Sequence, residues 1–307
     1  MVIHFMKDIL LIVNPNAGRN GYRECLSDVV YTLHRSGWRT TVAFTNGRGD
    51  APRIAAEQGV DYSRIVCMGG DGTLSETVSG LMRLPESGRP ELAYIPMGTS
   101  NDSATTLGLS RDPVMAAYTA GCGRPIPLDV GRFNDSDFFT YVAAFGAFTE
   151  VSYETPQDQK NTFGWLAYAA EAMNRLPKLT HRWCRIEYDG GVVEGDFIFC
   201  AVTNARRVAG FIHLDDSAGV SLSDGIFEII LIRTPDSLLQ VGPIMSDVLA
   251  NTFTSEYAML LHSRRVHITF KESPTPAWTL DGEGGGAPAE VLCENIPRAI
   301  RMIVNDM

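Results

Sequence analysis

The sequence has no long hydrophobic run, no excess of basic residues and no closely paired cysteines. An early apolar run at residues 9–13 is far shorter than the roughly 20 residues that a membrane-spanning helix needs. The 307 residues carry a formal net charge of -10, which disfavours nucleic acid as the main partner because phosphate backbones attract basic surfaces. The same charge disfavours strong electrostatic binding to anionic membranes.

Metal-binding and disulfide patterns are also missing. The six histidines form no H-E-x-x-H and no cluster with cysteine, so a zinc site is not expected. No basic flank of a signal peptide precedes residues 9–13, and we expect a cytoplasmic protein. Several cysteines lie in apolar runs and none forms C-x-x-C, which predicts buried free thiols in a reducing compartment. The cysteines are Cys25, Cys67, Cys122, Cys184, Cys200 and Cys293.

Two common catalytic loops are absent from the chain. No G-x-x-x-x-G-K-[ST] sequence is present, which excludes a Walker A phosphate loop. No G-x-S-x-G is present either, which argues against an α/β-hydrolase. Instead, the sequence has glycine-rich short loops, each following an apolar run of strand length.

The first 120 or so residues alternate strand-like runs with helical patterns. This alternation predicts a parallel sheet covered by helices on both faces. Ligands in such sheets lie beyond the carboxyl ends of the strands, so the loops that follow the strands should meet at one edge. The predicted strands lie at residues 9–13, 39–44, 64–67 and 92–95, and the predicted helices at 22–35, 51–57, 74–82 and 103–107.

Beyond residues 121–125 the pattern changes to longer strands joined by turns. The predicted strands are 126–133, 138–145, 182–188, 195–203, 226–232, 265–270, 277–280, 289–293 and 299–304, with helices at 164–174 and 238–250. The pattern is typical of an antiparallel β-sandwich. We therefore predict an α/β domain over residues 1–124 and a β-sandwich domain over 125–307. The default ligand site is the cleft between them.

The loop Gly69-Gly70-Asp71-Gly72-Thr73 connects a predicted strand to a predicted helix. Glycines let the backbone approach a ligand closely, and the free N–H groups at a helix start attract anions. Asp71 lies among these donors, where it could meet a metal ion or a hydroxyl group. The competing interpretation is a simple strand-to-helix connector.

Two further loops follow predicted strands on the same edge. Asn14-Pro15-Asn16-Ala17-Gly18 could present backbone N–H groups to phosphates, but these are also ordinary turn residues. Pro96-Met97-Gly98-Thr99-Ser100-Asn101-Asp102 offers hydroxyls and a carboxylate, and Ser100 or Asn101 would equally serve as a helix N-cap.

Acidic turns in the second half offer catalytic and metal-binding groups. Asp281-Gly282-Glu283 could supply a general base and its partner, although Asp-Gly is also a strong hairpin signal. Ser221-Leu222-Ser223-Asp224-Gly225 could hold a metal through Asp224, or be a plain turn. An aromatic segment around Trp165 and Tyr168 could contact a lipid, although core packing is the stronger expectation.

Taken together, these loops resemble the diacylglycerol kinase catalytic family, which includes sphingosine and ceramide kinases. The matching residues are Asn14-Pro15-x-x-Gly18, Gly69-Gly70-Asp71-Gly72-Thr73-x-x-Glu76, Pro96-x-Gly98-Thr99-x-Asn101-Asp102 and Asp281-Gly282-Glu283. Their order and spacing fit over nearly the whole chain. The Gly-Gly-Asp-Gly-Thr loop also occurs in NAD kinases, whereas the Gly-Thr-x-Asn-Asp loop together with the late Asp-Gly-Glu favours lipid kinases. The resemblance implies a two-domain fold, with an α/β nucleotide-binding domain over residues 1–124 and a β-sandwich lipid-substrate domain over 125–307. It also implies ATP as donor, Mg²⁺, and a lipid hydroxyl as acceptor.

The resemblance also implies a role for individual residues. Glu283 would be the catalytic base, with Asp281 beside it. Ser221, Asp224 and the backbone of Ile226 would form a structural Mg²⁺ loop. The nucleotide would be held by Asn14, Pro15, Asn16, Ala17, Gly18, Thr45, Gly69, Gly70, Asp71, Gly72, Thr73, Leu74, Ser75, Gly98, Thr99, Asn101 and Asp102.

Three positions depart from the family pattern. Ser75 stands where asparagine is usual, and Ser103 where an aromatic residue is usual. Ala218-Gly219-Val220 replaces the usual Pro-x-Ala before Asp224, which leaves the metal loop the weakest assignment.

The leading hypothesis is an ATP- and Mg²⁺-dependent lipid kinase that phosphorylates a lipid hydroxyl, such as that of diacylglycerol, during transient contact with a membrane surface. The alternatives are an NAD kinase-like phosphotransferase and a nucleotide-binding protein without catalysis. The sequence leaves open the identity of the lipid and whether the chain forms a homodimer.

Overall fold

The computed structural model describes residues 7–18, 21–99, 101–146, 182–205, 207–208, 212–214, 221–235, 237–250, 252–253, 255–271 and 273–306. The predicted helix at 164–174, with its aromatic segment, lies outside the described residues. Ser100 and the Ala218-Gly219-Val220 stretch lie outside them too.

The first part of the chain alternates strands and helices, as its sequence predicts. In order, the elements are β1 (Lys7–Val13), α1 (Tyr22–Arg35), β2 (Trp38–Phe44), α2 (Asp50–Gln58), β3 (Arg64–Gly69), α3 (Asp71–Leu81), β4 (Glu91–Pro96), α4 (Asp102–Thr106) and α5 (Pro113–Cys122). Short 3-10 helices, Gly59–Asp61 and Glu86–Gly88, precede β3 and β4. The strands are parallel in the order β2-β1-β3-β4, so the loops that follow them share one edge.

Helix α5 has no counterpart among the predicted elements. It begins after Asp112, whose carboxylate accepts hydrogen bonds from the N–H groups of Val114 and Met115, both at 2.9 Å. Pro113 occupies the first helical position, where its fixed φ and missing N–H cost nothing. The Asp-Pro pair was therefore the local signal for this helix.

The remainder of the described chain is mostly antiparallel β-structure. Its elements are β5 (Arg124–Phe133), β6 (Asp137–Phe139), β7 (Val142–Gly146), β8 (Trp183–Tyr188), β9 (Gly191–Thr203), β10 (Arg207–Val208), β11 (Ile212–His213), β12 (Phe227–Arg233), α6 (Leu238–Ala250), β13 (Ala258–Ser263), β14 (Arg265–Phe270), β15 (Trp278–Leu280), β16 (Glu283–Gly284) and β17 (Glu290–Val304). The α/β-plus-β-sandwich prediction is confirmed.

One strand joins the two halves of the molecule. Strand β17 pairs antiparallel with β14 through its first residues and with β5 along most of its length. Near its end it meets β4 in parallel, at Met302 and Leu92. Strand β17 therefore connects β4 of the parallel part to antiparallel strands of the second half, and the predicted division at residues 124 and 125 remains a prediction.

Two predicted strand boundaries are wrong. The single strand predicted at 138–145 is two strands, β6 and β7, because the N–H groups of Thr140 and Tyr141 turn away to bind Asp281. The two strands predicted at 289–293 and 299–304 form the single strand β17. A bulge between Ile296 and Ile300, with Arg298 at φ 53°, accommodates the apparent break.

The parallel sheet has a hydrophobic core on each face. Leu10 and Ile12 pack with α2 and α3 on one face, and Ile9 and Leu11 pack with α1 and α5 on the other. All four side chains are fully buried, which explains why β1 is continuously apolar rather than alternating. A separate aromatic core fills the β-sandwich, with Trp278 contacting Phe133 and Phe145 edge to face.

All six cysteines are free thiols. Four of them are buried, namely Cys67, Cys184, Cys200 and Cys293, as the apolar runs predict. Cys25 is half-buried, and Cys122 is exposed, so the prediction of a buried thiol is wrong for Cys122. Cys122 is the last residue of α5, and its thiol lies at the surface, 3.3 Å from Oγ of Ser36. Among the described residues, none of the helices has the length and apolar character needed to cross a bilayer.

Candidate active site

A cavity of about 430 Å³ lies where the strand-following loops meet. Loops after β1, β2, β3 and β4 contribute to its walls, and the turn between β15 and β16 closes it from the second half of the chain. The predicted residues that line it are Asn14, Asn16, Ala17, Gly18, Thr45, Gly70, Gly72, Thr73, Gly98 and Glu283. The expectation that these loops gather at one edge is confirmed.

Glycine is required where two of these loops touch. A Cβ atom on Gly98 would lie 2.8 Å from Cα of Gly70 and 2.9 Å from Oδ1 of Asn101. Gly18 has φ +59°, and a Cβ there would collide with the carbonyl oxygen of Met97. Side chains would therefore push the β1, β3 and β4 loops apart, so the narrow cradle between them depends on these glycines.

The amino end of α3 faces this cradle. Its N-cap is Gly70, which has extended backbone and no side chain to cap the helix. The first N–H groups of a helix lack intrahelical partners and attract negative charge. Asn14 steadies this end, because its Nδ2 donates to Oγ1 of Thr73 at 2.8 Å while its Oδ1 accepts from the N–H of Asn16 at 2.9 Å. The arrangement can bind phosphate groups.

Asp71 holds the next helix in place. Its Oδ2 accepts a hydrogen bond from the N–H of Asp102 at 3.0 Å, and its Oδ1 accepts one from the N–H of Ser103 at 3.1 Å. Both bonds reach the start of α4, so Asp71 caps α4 from a different helix. One lone pair on each oxygen is thus engaged by the protein.

The side chain of Asn101 holds the loop after β4 together by hydrogen-bonding the backbone of Gly98. Asn101 is a buried residue with φ 51°, a left-handed conformation that asparagine tolerates better than most residues. Its Oδ1 accepts from the N–H of Gly98 at 2.9 Å, and its Nδ2 donates to the carbonyl of Gly98 at 2.7 Å. The side chain therefore shapes the loop instead of facing the cavity.

Asp281 ties the β15–β16 turn to the break between β6 and β7. Its carboxylate accepts hydrogen bonds from the N–H groups of Thr140, Tyr141 and Val142 at 2.8–2.9 Å, and from the Thr140 hydroxyl at 3.1 Å. Burial raises the pKa of Asp281, and these hydrogen bonds oppose that effect. The geometry gives Asp281 a positioning role; its predicted part in catalysis stays a prediction.

Glu283 reaches the cavity from the same turn. A Cβ on Gly72 would lie 2.8 Å from Oε1 of Glu283, so the carboxylate stands directly over the start of α3. Its side chain is 52% exposed, and its Oε2 lies 3.8 Å from a guanidinium nitrogen of Arg48. An accessible carboxylate beside a phosphate-binding cradle can accept a proton from a bound hydroxyl.

Several predicted nucleotide residues lie outside the cavity lining. Leu74 is packed in the core, Ser75 is buried, and Thr99 is exposed. Asp71 and Asn101 do not face the cavity; they hold its loops in place through the hydrogen bonds described above. The predicted residues that do not line the cavity are Pro15, Gly69, Asp71, Leu74, Ser75, Thr99, Asn101 and Asp102.

Three lining residues are missing from the predicted set. Gly47 and Arg48 follow β2, and Glu76 accepts a hydrogen bond from the N–H of Gly49 at 3.1 Å. The sequence Asn46-Gly47-Arg48-Gly49 is typical of a turn and follows a predicted strand, so it could have indicated Gly47 and Arg48 as site residues. Arg48 brings positive charge to the cavity, and the other described lining residues are neutral or acidic.

The predicted metal loop lies apart from this cavity. Asp224 is exposed, and its Oδ1 accepts from the N–H of Ile226 at 3.0 Å, while the Ser221 hydroxyl accepts from the N–H of Ser223 at 3.4 Å. No cluster of three or more His, Cys, Asp or Glu suited to a metal ion occurs in the described ranges. A cation here would need backbone carbonyls and water as its other ligands, which suits Mg²⁺.

The charges around the loop favour a cation. Asp129 is fully buried beneath it, and its Oδ2 accepts from the N–H of Gly225 at 2.6 Å. Burial, together with the nearby Asp224 and Asp129, raises the pKa of Glu228 to about 8. Oε2 of Glu228 has no hydrogen-bond partner within the described part of the chain. These residues fit the predicted Mg²⁺, which stays a prediction.

Comparison with known protein families gives two matches. A model of the diacylglycerol kinase catalytic domain matches residues 8–133. A model of the YegS C-terminal NAD kinase beta sandwich-like domain matches residues 144–304. The two matches together cover nearly the whole chain.

Individual relatives agree with the family models. The chain is 32% identical over 302 residues to a diacylglycerol kinase of Bacillus subtilis (strain 168), with 97% of each chain covered. It is 34% identical over 300 residues to a diacylglycerol kinase of Staphylococcus haemolyticus (strain JCSC1435), covering 95% of this chain and 86% of the relative. A crystal structure of a diacylglycerol kinase from Bacillus anthracis str. Sterne superimposes with a TM-score of 0.74, covering 97% of both chains. At 24% identity, this structure supports the fold alone.

Proposed function

Because this chain belongs to the diacylglycerol kinase catalytic-domain family, we propose that it transfers the γ-phosphate of ATP to the hydroxyl group of a lipid such as diacylglycerol. The observation that carries the proposal is the position of Glu283. It is an accessible carboxylate held over the uncapped start of α3, in the cavity where the glycine loops meet.

The cavity supports a nucleotide as the donor. Phosphates need backbone N–H donors at close range and little side-chain bulk. The uncapped start of α3 offers the N–H groups, and Gly18, Gly70 and Gly98 keep side-chain bulk out of the cradle. Phosphoryl transfer depends mainly on positioning and on neutralising charge rather than on covalent chemistry by the protein. Arg48 at the cavity wall can contribute positive charge to the bound phosphates.

Glu283 would act on the lipid hydroxyl. As the hydroxyl oxygen attacks the γ-phosphorus, its proton passes to the Glu283 carboxylate, the bond to the β-phosphate oxygen breaks, and ADP leaves. Asp281 fixes the turn that carries Glu283, through its four hydrogen bonds to residues 140–142. The base is thereby held relative to the phosphate cradle across the two halves of the chain.

Mg²⁺ would supply positive charge at two places. Asp71 and Asp102 would lie near an ion bound with ATP, which would supply positive charge to the phosphates. A second ion would be held by Asp224 with the backbone near Ser221 and Ile226, where it would brace the loop above Asp129. The lipid would be taken from a membrane surface by transient, peripheral contact.

The proposal is tested by Mg²⁺-dependent transfer of labelled γ-phosphate to diacylglycerol in mixed micelles, with Glu283→Gln as the test variant. We expect the wild type to label the lipid and the variant to lose turnover by at least about a hundredfold, a usual effect of removing a general base. ATP binding, followed by calorimetry, should change little.

The matched control is Glu86→Gln, an exposed glutamate in a 3-10 helix that is absent from the cavity lining. It should keep wild-type activity. Full activity in Glu283→Gln would remove Glu283 from the mechanism. Transfer of the labelled phosphate to NAD⁺ and to no lipid would favour an NAD kinase-like activity. Binding of ATP with no transfer to any acceptor would favour a non-catalytic protein.

A further inference from the structure

The turn after β2 places an arginine at the rim of the phosphate cavity. Arg48 stands between Gly47 and Gly49, and its side chain is 74% exposed. Among the described residues that line the cavity, Arg48 is the one with a positive charge. No hydrogen bond joins its guanidinium to another residue in the described ranges. The donors of the guanidinium are therefore available to a ligand.

The turn that carries Arg48 is held at both ends. Asn46 donates its N–H to Oδ2 of Asp50 at 2.8 Å, and Gly49 donates its N–H to Oε1 of Glu76 at 3.1 Å. Glu76 belongs to α3, the helix whose amino end faces the cavity. These two bonds fix the backbone of the turn relative to the phosphate cradle, so rotation of the Arg48 side chain is the main movement left.

The bond from Gly49 also explains why a second carboxylate lines a cavity for anions. Glu76 is part of the cavity wall, where its negative charge opposes the binding of phosphates. The same carboxylate holds the backbone next to Arg48. Its presence is accounted for if the gain from a correctly placed guanidinium exceeds the repulsion.

The guanidinium lies beside the proposed catalytic base. One of its nitrogens is 3.8 Å from Oε2 of Glu283, and Oε1 of Glu283 would lie 2.8 Å from a Cβ on Gly72, at the start of α3. A separation of 3.8 Å exceeds that of a direct hydrogen bond, and an exposed ion pair of this kind contributes little to stability. The pair therefore indicates where Arg48 lies without locking it there.

The position of Glu283 determines which phosphate Arg48 can reach. A general base must lie within hydrogen-bond reach of the acceptor hydroxyl, and the hydroxyl oxygen must lie next to the phosphorus that it attacks. In transfer from ATP that phosphorus is the γ-phosphorus, so the γ-phosphate is the one nearest Glu283. A guanidinium beside Glu283 can then bind two γ-phosphate oxygens at once through its planar fork.

We propose that Arg48 binds the γ-phosphate of ATP and neutralises the charge on it during transfer, so that the site distinguishes a nucleoside triphosphate from a diphosphate. Glu76 is the positioning residue that holds the turn. The inference rests on the proposed function and assigns the contact with the transferred group to a particular side chain. Arg48 forms no covalent bond and keeps its proton throughout, and the proton of the acceptor hydroxyl passes to Glu283 as before.

The first test compares two nucleotides that differ in the γ-phosphate. ADP and the non-hydrolysable ATP analogue AMP-PNP are titrated by calorimetry, in the presence of Mg²⁺, into the wild type and Arg48→Gln. We expect Arg48→Gln to weaken AMP-PNP at least about tenfold and to leave ADP within about twofold, because only AMP-PNP loses a charge-assisted contact. The matched control is Arg83→Gln, an exposed arginine outside the cavity lining, which should leave both affinities unchanged.

Arg48→Lys keeps the charge and loses the planar fork, and its affinity for AMP-PNP should fall between those of the wild type and Arg48→Gln. Equal losses for ADP and AMP-PNP in Arg48→Gln would place the contact on the other phosphates and overturn the proposal. No loss for either nucleotide would reduce Arg48 to a surface partner of Glu283, and would overturn it as well.

The second test concerns Glu76. Glu76→Ala removes the acceptor for the Gly49 N–H, whereas Glu76→Gln loses the same charge and keeps an oxygen that can accept. We expect Glu76→Ala to lower the preference for AMP-PNP over ADP about fivefold or more, Glu76→Gln to retain it, and Glu76→Ala to add little in the Arg48→Gln background. General destabilisation would weaken both nucleotides alike. An unchanged preference in Glu76→Ala would therefore remove its positioning role.

Nucleotide binding and lipid phosphorylation are measured separately, so this inference and the proposed function can fail independently. A preference for AMP-PNP that disappears in Arg48→Gln, with no label in any lipid, would keep the role of Arg48 and contradict the lipid kinase. Lipid labelling by the wild type, with the same preference in Arg48→Gln, would do the reverse. Where lipid is labelled, we expect Arg48→Gln to lower kcat about a hundredfold. A wild type that binds neither nucleotide would contradict both.

Discussion

Asp281 and Glu283 show how two acids in one turn take different roles. They lie two residues apart, yet Asp281 points to the backbone of residues 140–142 and Glu283 points to the cavity. The left-handed conformation of Asp281, φ 50°, followed by Gly282 at φ 89°, turns the chain between them. One carboxylate therefore stabilises the structure, and the other is available for chemistry.

We expect Asp281→Asn to lower the free energy of unfolding by about 2–4 kcal/mol, because an amide Nδ2 would face N–H donors and leave them unsatisfied. Urea denaturation measures this change. Glu283→Gln is the control in the same turn and should lie within about 0.5 kcal/mol of the wild type. A fully stable Asp281→Asn would mean that the turn does not depend on this carboxylate.

The elements that bind phosphate are loops, and their shape depends on contact between loops. The β3 and β4 loops meet at Gly70 and Gly98, and Asn101 and Asp71 hold the second loop and α4 from behind. The cradle is rigid because each loop is hydrogen-bonded to its neighbour. A side chain on Gly98 would have to displace the Gly70 backbone as well as the Asn101 side chain.

We expect Gly98→Ala to weaken ATP binding by about tenfold or more and to destabilise the fold by about 1–3 kcal/mol, since the new methyl would overlap Gly70 and Asn101. Calorimetric titration with ATP provides the measurement. Gly242→Ala is the control, because a Cβ there meets no atom within 4 Å and the position lies within α6. If Gly98→Ala binds ATP as the wild type does, the close contact is not needed for the site.

At the scale of the whole molecule, four thiols are enclosed by the two cores. Burial raises the pKa of Cys67 and of Cys184 to about 12, and it also raises the pKa values of Cys200 and Cys293. In the unfolded chain the same thiols ionise near pH 8.5–9. The folded state therefore binds more protons than the unfolded state above about pH 9.

It follows that stability should fall as the pH rises from about 9 towards 12, by up to about 1.4 kcal/mol per thiol per pH unit. Urea denaturation at several pH values measures the slope. Cys200→Ala should make the slope shallower, whereas Cys122→Ala, at an exposed position, should leave it unchanged. Equal slopes in the wild type and Cys200→Ala would contradict the assignment.

The sequence by itself determined the strands of the parallel sheet, the glycine loops after them and the acidic turn that carries Glu283. Those features depend on local periodicity and turn chemistry, which are written in consecutive residues. Only the tertiary structure decided that Asp71 caps α4, that Asp281 holds residues 140–142, and that Arg48 lines the cavity. These contacts join residues far apart in the chain, and packing of the whole molecule selects such partners.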